Sequence, residues 1–194
     1  MELPKGYNDA PVKTMGNIAP RPNAYVFGIV RASVEYSRNN KRMLVLTLDI
    51  AEGKFKNYYR ELTARFGDGK ERYLKFYRLV DEEKSLPYFK GDIRAIEESN
   101  PGYQFTGDEH SLVRKYVGGM LRDEEYYRQD GSVGVTTKVA FLCSKETAMS
   151  GDLRVMPIKK VQASGRPYVP GEDEGEVSPQ EQNPFEPQDG DLPF

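Results

Sequence analysis

The sequence predicts a mainly β domain with a helical insertion, followed by an acidic tail. Three observations carry this expectation. Runs of β-branched and aromatic residues occur at 24–36, 43–51, 112–127 and 133–144, several of them with period-two alternation. Between them, residues 71–99 space their apolar side chains as a helix does. From Gly171 onward the chain has eight acids, no Lys or Arg, and almost no aliphatic side chain.

Residues 1–23, with Pro4, Pro11, Pro20 and Pro22, read as an extended lead-in. They contain no apolar run of the kind a signal peptide needs. The first strand is AYVFGIVRASVEY, with Val26, Val30, Ala32 and Val34 on one face and Arg31, Ser33 and Glu35 on the other. Gly28 within it suggests a bulge or sharp bend. Ser37–Arg42 is a polar hairpin loop in which an Asn can take positive φ. The second strand is MLVLTLDIA, expected to bury one face.

Glu52-Gly53 marks a turn, and Lys54–Arg60 reads as a third strand. The i, i+4, i+8 spacing of Tyr58, Leu62 and Phe66 also allows a helix from about Asn57. From Glu71 the period is helical, with Tyr73, Phe76, Tyr77 and Val80 on one face. A second helix follows Ser85 as N-cap, has Pro87 in its first turn, turns Phe89, Ile93 and Ile96 inward, and stops at Asn100-Pro101-Gly102. Strands at 112–127 and 133–144 flank an Asp130-Gly131 turn, and Leu153–Val161 is a short closing element. Five strands with helices between the third and fourth is the order of an OB-fold, a Greek-key barrel. A five-stranded antiparallel sheet with an unrelated connection gives the same string.

Composition excludes several classes. The single Cys143 rules out an internal disulfide framework and fits a reducing cytoplasm, the expected location. No stretch is long enough to span a membrane. At Gly69-Lys70 a phosphate-binding loop would need Gly where Ala64 stands and Ser or Thr where Glu71 stands. His110 is the only histidine, and Ser111 beside it makes no catalytic triad. Glu82-x-Lys84 and Asp123-Glu124-Glu125 read as solvated surface. No enzymatic activity, metal or cofactor is expected.

Charge is divided along the chain. Residues 1–170 hold all 28 bases against 22 acids, a net of +6, and the remaining 24 residues hold eight acids. The expected division is therefore a lead-in at 1–23, a folded domain at 24–162, and a disordered tail at 163–194. The tail ends Asp191-Leu192-Pro193-Phe194, which offers a partner a ring, a stiff backbone and a free carboxylate together. Asp189, Asp191, Leu192, Pro193 and Phe194 are thus the expected docking residues.

An acidic, low-complexity tail tipped Asp-Leu-Pro-Phe resembles that of bacterial and phage single-stranded DNA-binding proteins. The phrases DIAEGKFKNYY, LPYFKGDIRAIEESNPGYQF and KYVGGMLRDEEYY resemble the body of phage-encoded members, over roughly residues 20–160. The resemblance implies an OB-fold, binding of single-stranded DNA, and recruitment of replication, recombination and repair proteins by the tip. The tail spreads its acids where the family masses them beside the tip.

Single-strand binding needs a cationic groove for phosphates and flat rings for unstacked bases. The body interleaves both. The candidates are Arg31; Arg38, Lys41 and Arg42 in the first loop; Lys54, Lys56, Tyr58, Tyr59 and Arg60 after the second strand; Arg114, Lys115 and Tyr116; and Lys138. For 72–78, helical spacing makes Tyr73, Phe76 and Tyr77 core and leaves Arg72, Lys75 and Arg78 on a solvated outer face. Two other readings fit: a phage strand-annealing accessory protein, and an interaction module whose tail is the active part. A homo-oligomer is compatible with each. If the tail visits the basic groove, deleting 171–194 tightens DNA binding at low salt.

Overall fold

The computed structural model describes residues 19–161. The first 18 residues and the acidic tail, with Asp189, Asp191, Leu192, Pro193 and Phe194, lie outside the described residues. The described chain is mainly β. Strands β1 (Ala24–Tyr36), β2 (Arg42–Ile50), β3 (Leu74–Leu79), β4 (Tyr116–Tyr127) and β5 (Val133–Cys143) form one antiparallel open sheet. Their spatial order is β3-β2-β1-β4-β5. Helix α1 (Tyr58–Phe66) lies between β2 and β3, α2 (Leu86–Ser99) between β3 and β4, and α3 (Lys145–Met149) after β5. No helix among the described residues is long and apolar enough to cross a membrane.

β1 serves two neighbours. Its first half, Ala24–Gly28, pairs with β4, and from Phe27 onward it pairs with β2. The β1–β2 register slips between Ile29 and Arg31, so the bulge falls at Val30 and not at Gly28. The extra residue resets the alternation. Phe27, Ile29 and Ala32 are buried, while Val30 turns out and is 41% exposed, which corrects its expected place beside Val26 and Ala32. Asn40 takes φ 57 in the hairpin, as expected of an Asn there.

β2 is buried on both faces, not one. Leu44, Leu46, Leu48 and Ile50 enter the main core with Phe27, Phe76, Ile96, Leu112 and Val117. Met43 and Val45 face the other way and pack with Leu79, with Tyr77 half-buried against them.

The third strand is not Lys54–Arg60. That stretch turns through Asn57 (φ 61) into α1, which the spacing of Tyr58, Leu62 and Phe66 had also allowed. Asp49 holds the helix start: its carboxylate accepts from the backbone N–H of Tyr59 and of Arg60, each at 3.1 Å. These are amides that a helix N-terminus leaves without partners. β3 is the stretch expected to be helical. Its LKFYRL sequence satisfies both periods, and pairing with β2, from Leu74 opposite Leu48 to Leu79 opposite Met43, decides for the strand.

α2 falls where its signals place it, with Ser85 ahead of it, Pro in its first turn and Asn100 at its end. Ile93, Ala95 and Ile96 enter the core. Asp92 is buried too, and its carboxylate accepts from Arg78 Nε at 2.5 Å. Of the expected closing element, Lys159 forms a parallel bridge to Glu124 on β4, past the start of β1. α3 packs so closely on β4 that a Cβ on Gly118 would stand 2.4 Å from Ser144 O and 2.7 Å from Ala148 Cβ.

Candidate nucleic-acid interface

Register fixes which side chains share the sheet face opposite the main core. One row across three strands is Arg31, Thr47 and Lys75. The next row toward the start of β1 is Tyr116, Gly28 and Asp49. Toward the hairpin come Ser33, Val45 and Tyr77, and then Glu35, Met43 and Leu79. Thr47 and Asp49 are buried, so the accessible groups of the first two rows are Arg31, Lys75 and Tyr116. Gly28 puts no side chain between Tyr116 and Asp49 in their row, and the exposed Val30 stands between Gly28 and Arg31 along β1.

The start of β4 is shaped by Arg114. Its backbone N–H donates to Ile29 O at 2.8 Å, and the Ile29 N–H donates to Lys115 O at 2.9 Å. Between these bonds Arg114 takes φ 69, a conformation that costs a residue with a Cβ. The tight bend leaves the Arg114 side chain exposed, sets Lys115 Nζ 4.5 Å above the Tyr103 ring, and turns Tyr116 outward. Tyr116 is 45% exposed, with Lys145 Nζ 5.6 Å from its centroid. Arg60, at the start of α1, is exposed beside the capping Asp49.

Several of these cations have carboxylate partners. Arg31 pairs with Glu71 at 2.5 Å and Lys145 with Glu52 at 2.5 Å. Both pairs are partly exposed, a setting in which an ion pair contributes little to folding. Lys75, Arg60, Arg114 and Lys115 form no ion pair among the described residues.

The remaining expected residues lie elsewhere. Arg38, Lys41 and Arg42 stand at the far end of β1 with the exposed ring of Tyr36, roughly 26 Å from Gly28 at the rise of a strand. Lys41 pairs with Glu82, and Arg42 pairs with Asp81 at 3.4 Å, so the hairpin is tied to the turn before α2. Lys54 and Lys56 are exposed in the turn before α1. Tyr58 and Tyr59 are both half-buried in an edge-to-face chain with Phe55 and Tyr25. Tyr59 packs against the main core, and burial keeps its hydroxyl protonated far above the usual range. Lys138 lies on the β4–β5 hairpin opposite Arg122, 3.7 Å from Glu124.

Three residues of the candidate interface were missed in the sequence. Lys75 was read as the solvated face of a helix. Lys145 belongs to α3, whose one signal is Ser144 three residues before Thr147; the Ser144 hydroxyl accepts from Thr147 N–H. Tyr103 sits past a helix stop, where no periodicity operates. No protein-family model matches this chain, and the curated proteins contain no match to it.

Proposed function

We propose that this protein is a non-catalytic, sequence-tolerant single-stranded DNA-binding protein of phage origin. It protects single strands during DNA replication or recombination in the host cytoplasm and recruits partner proteins through its C-terminal tip. The fold reading behind this is an OB-fold barrel. The order β3-β2-β1-β4-β5, a bulged β1 shared by β2 and β4, and a helix between β3 and β4 all support that reading.

The observation that carries the proposal is the Arg31–Thr47–Lys75 row beside the outward ring of Tyr116. Exposed cations neutralise a phosphate backbone without reading sequence, and an exposed ring stacks on any base. Each stacked base contributes about 1–3 kcal/mol.

The test is a titration of the intact chain with oligo(dT), followed by quenching of its tyrosine fluorescence between 50 mM and 1 M salt. With four to six phosphate contacts the slope of log affinity against log salt is about −2.8 to −4.2. Affinity then falls about 50- to 340-fold between 50 and 200 mM salt. Preference for duplex over oligo(dT), or a slope near zero, rejects the proposal. A chain that binds no nucleic acid is a protein-interaction module.

A further inference from the structure

We infer that the cleft between the end of α2 and the start of β4 is a separate subsite for one nucleotide, at the end of the strand's path. This rests on the single-strand reading above and adds to it a specific place and occupant. The cleft is open, about 410 Å³ in volume, and lined by Ser99 to Tyr103 together with Lys115 and Tyr116. That volume is in the range of small-ligand clefts.

Its chemistry fits a planar base carrying a phosphate. Tyr116 supplies an exposed ring on one wall and Tyr103 a second ring. Lys115, over the Tyr103 ring, supplies the cation, and Lys145 stands beside the Tyr116 ring. Among the described residues no carboxylate lines the cleft, in contrast to the sheet face, where Glu71 pairs with Arg31. Glu52 stands beside the cleft but is paired with Lys145 at 2.5 Å.

The cleft is also built in advance. The Asn100 amide donates to Ile96 O at 2.6 Å and to Tyr116 O at 2.7 Å, and its oxygen accepts from Tyr116 N–H at 3.0 Å. The end of α2 and the start of β4 are thereby locked to each other by one side chain. The Tyr103 hydroxyl shares a 2.7 Å hydrogen bond with the Ser111 hydroxyl, and Tyr103 N–H donates to Asn100 O. The Tyr103 ring, held by its hydroxyl, loses little freedom when a base arrives. Tyr116 lies in the row next to that of Arg31 and Lys75, which brings the cleft within reach of a strand crossing those two cations.

The experiment uses the full chain and a twelve-residue oligo(dT) with one 5-iodouracil scanned along it. Irradiation is followed by peptide mapping, alongside affinity measurements on Tyr116→Ala, Tyr116→Phe and Lys115→Ala. The expected result is a crosslink to the peptide holding Tyr116 or Tyr103. Tyr116→Ala weakens binding about 5- to 150-fold and Tyr116→Phe keeps it, because a ring and not a hydroxyl does the stacking. Lys115→Ala makes the salt slope shallower by about 0.7. The Asn100 contacts are to the Tyr116 backbone, so these variants keep the frame, and unchanged thermal melting verifies it. If the chain binds the oligomer but crosslinks only elsewhere and Tyr116→Ala binds normally, the subsite is wrong and the single-strand reading stands. If the wild type binds no oligomer, both fall.

Discussion

Replacing Glu71 with Gln should strengthen DNA binding, an outcome that a purely structural role for this acid does not give. Glu71 accepts from Arg31 at 2.5 Å, and the two side chains are 47% and 58% exposed. An ion pair this wet contributes about 0–1 kcal/mol to folding, so its loss leaves the fold intact. In the free protein, however, Glu71 occupies the guanidinium that a phosphate needs. Removing the acid adds one available cation, which steepens the slope of log affinity against log salt by about 0.7 for a single strand. If wild type and variant bind equally at 1 M salt, the variant binds about eightfold tighter at 50 mM. The assay is oligo(dT) titration across that salt range, with a denaturant melt of each protein. With a wild-type slope near −2.8, an unchanged slope in Glu71→Gln, or weaker binding by a normally folded Glu71→Gln protein, would refute the placement of Arg31 on the phosphate path.

Other perturbations separate folding from binding. Arg114→Gly relieves the positive φ while removing one cation; denaturant melts should agree with wild type to about 1 kcal/mol, and the salt slope should fall by about 0.7. Burial pushes the Asp92 carboxyl up to about 6 from 3.8, although Arg78 pulls it down. The folded state then binds this proton more tightly than the unfolded state. Stability from this group therefore falls as pH rises from about 4 to about 6, by about 3 kcal/mol, and is flat above. Asp92→Asn should abolish that slope in pH-resolved melts, because the uncharged amide no longer carries the desolvation cost that the carboxylate pays above pH 6. Burial also pushes the Cys143 thiol up to about 11. A thiol reagent at pH 8 should label the native chain far more slowly than the denatured one, since only about 0.1% is thiolate.

The parts of the fold legible in the sequence are those where one period excluded the other. Seven of the thirteen residues of β1 are β-branched or aromatic, and its alternation rules out a helix. α2 had a stop, a proline in its first turn and three inward side chains in register. The exchange of β3 and α1 has the opposite cause. LKFYRL is six residues long, and over six residues Leu74, Phe76, Tyr77 and Leu79 suit a helix face and two strand faces equally. The deciding interaction is pairing with β2, thirty residues away, which no local pattern records. The α1 turn likewise depends on Asp49, a side chain in the preceding strand that reaches the amides of Tyr59 and Arg60. The bulge at Val30 follows from β1 having to satisfy two partners, and a bulge needs no glycine. Among the binding candidates, residue type was legible and location was not. Arg31 and Tyr116 meet on one face, while Lys138 and the Arg38–Arg42 loop lie well away along the sheet.

The pairing of these cations with nearby acids bears on how such a face would work. Arg31 and Lys145 each have a carboxylate at 2.5 Å, whereas Lys75, Arg60, Arg114 and Lys115 have none among the described residues. A phosphate arriving at Arg31 replaces one anion by another, so the net gain there is small and its counterion release is partial. A phosphate arriving at Lys75 or Lys115 displaces only solvent and salt ions. The four cations without ion pairs therefore set most of the salt dependence, and the two paired ones set position. The measured slope should lie nearer −2.8 than the −4.2 that all six would give. A wild-type slope at the larger value would mean that the Glu71 and Glu52 pairs open completely on binding, and Glu71→Gln would then leave it unchanged.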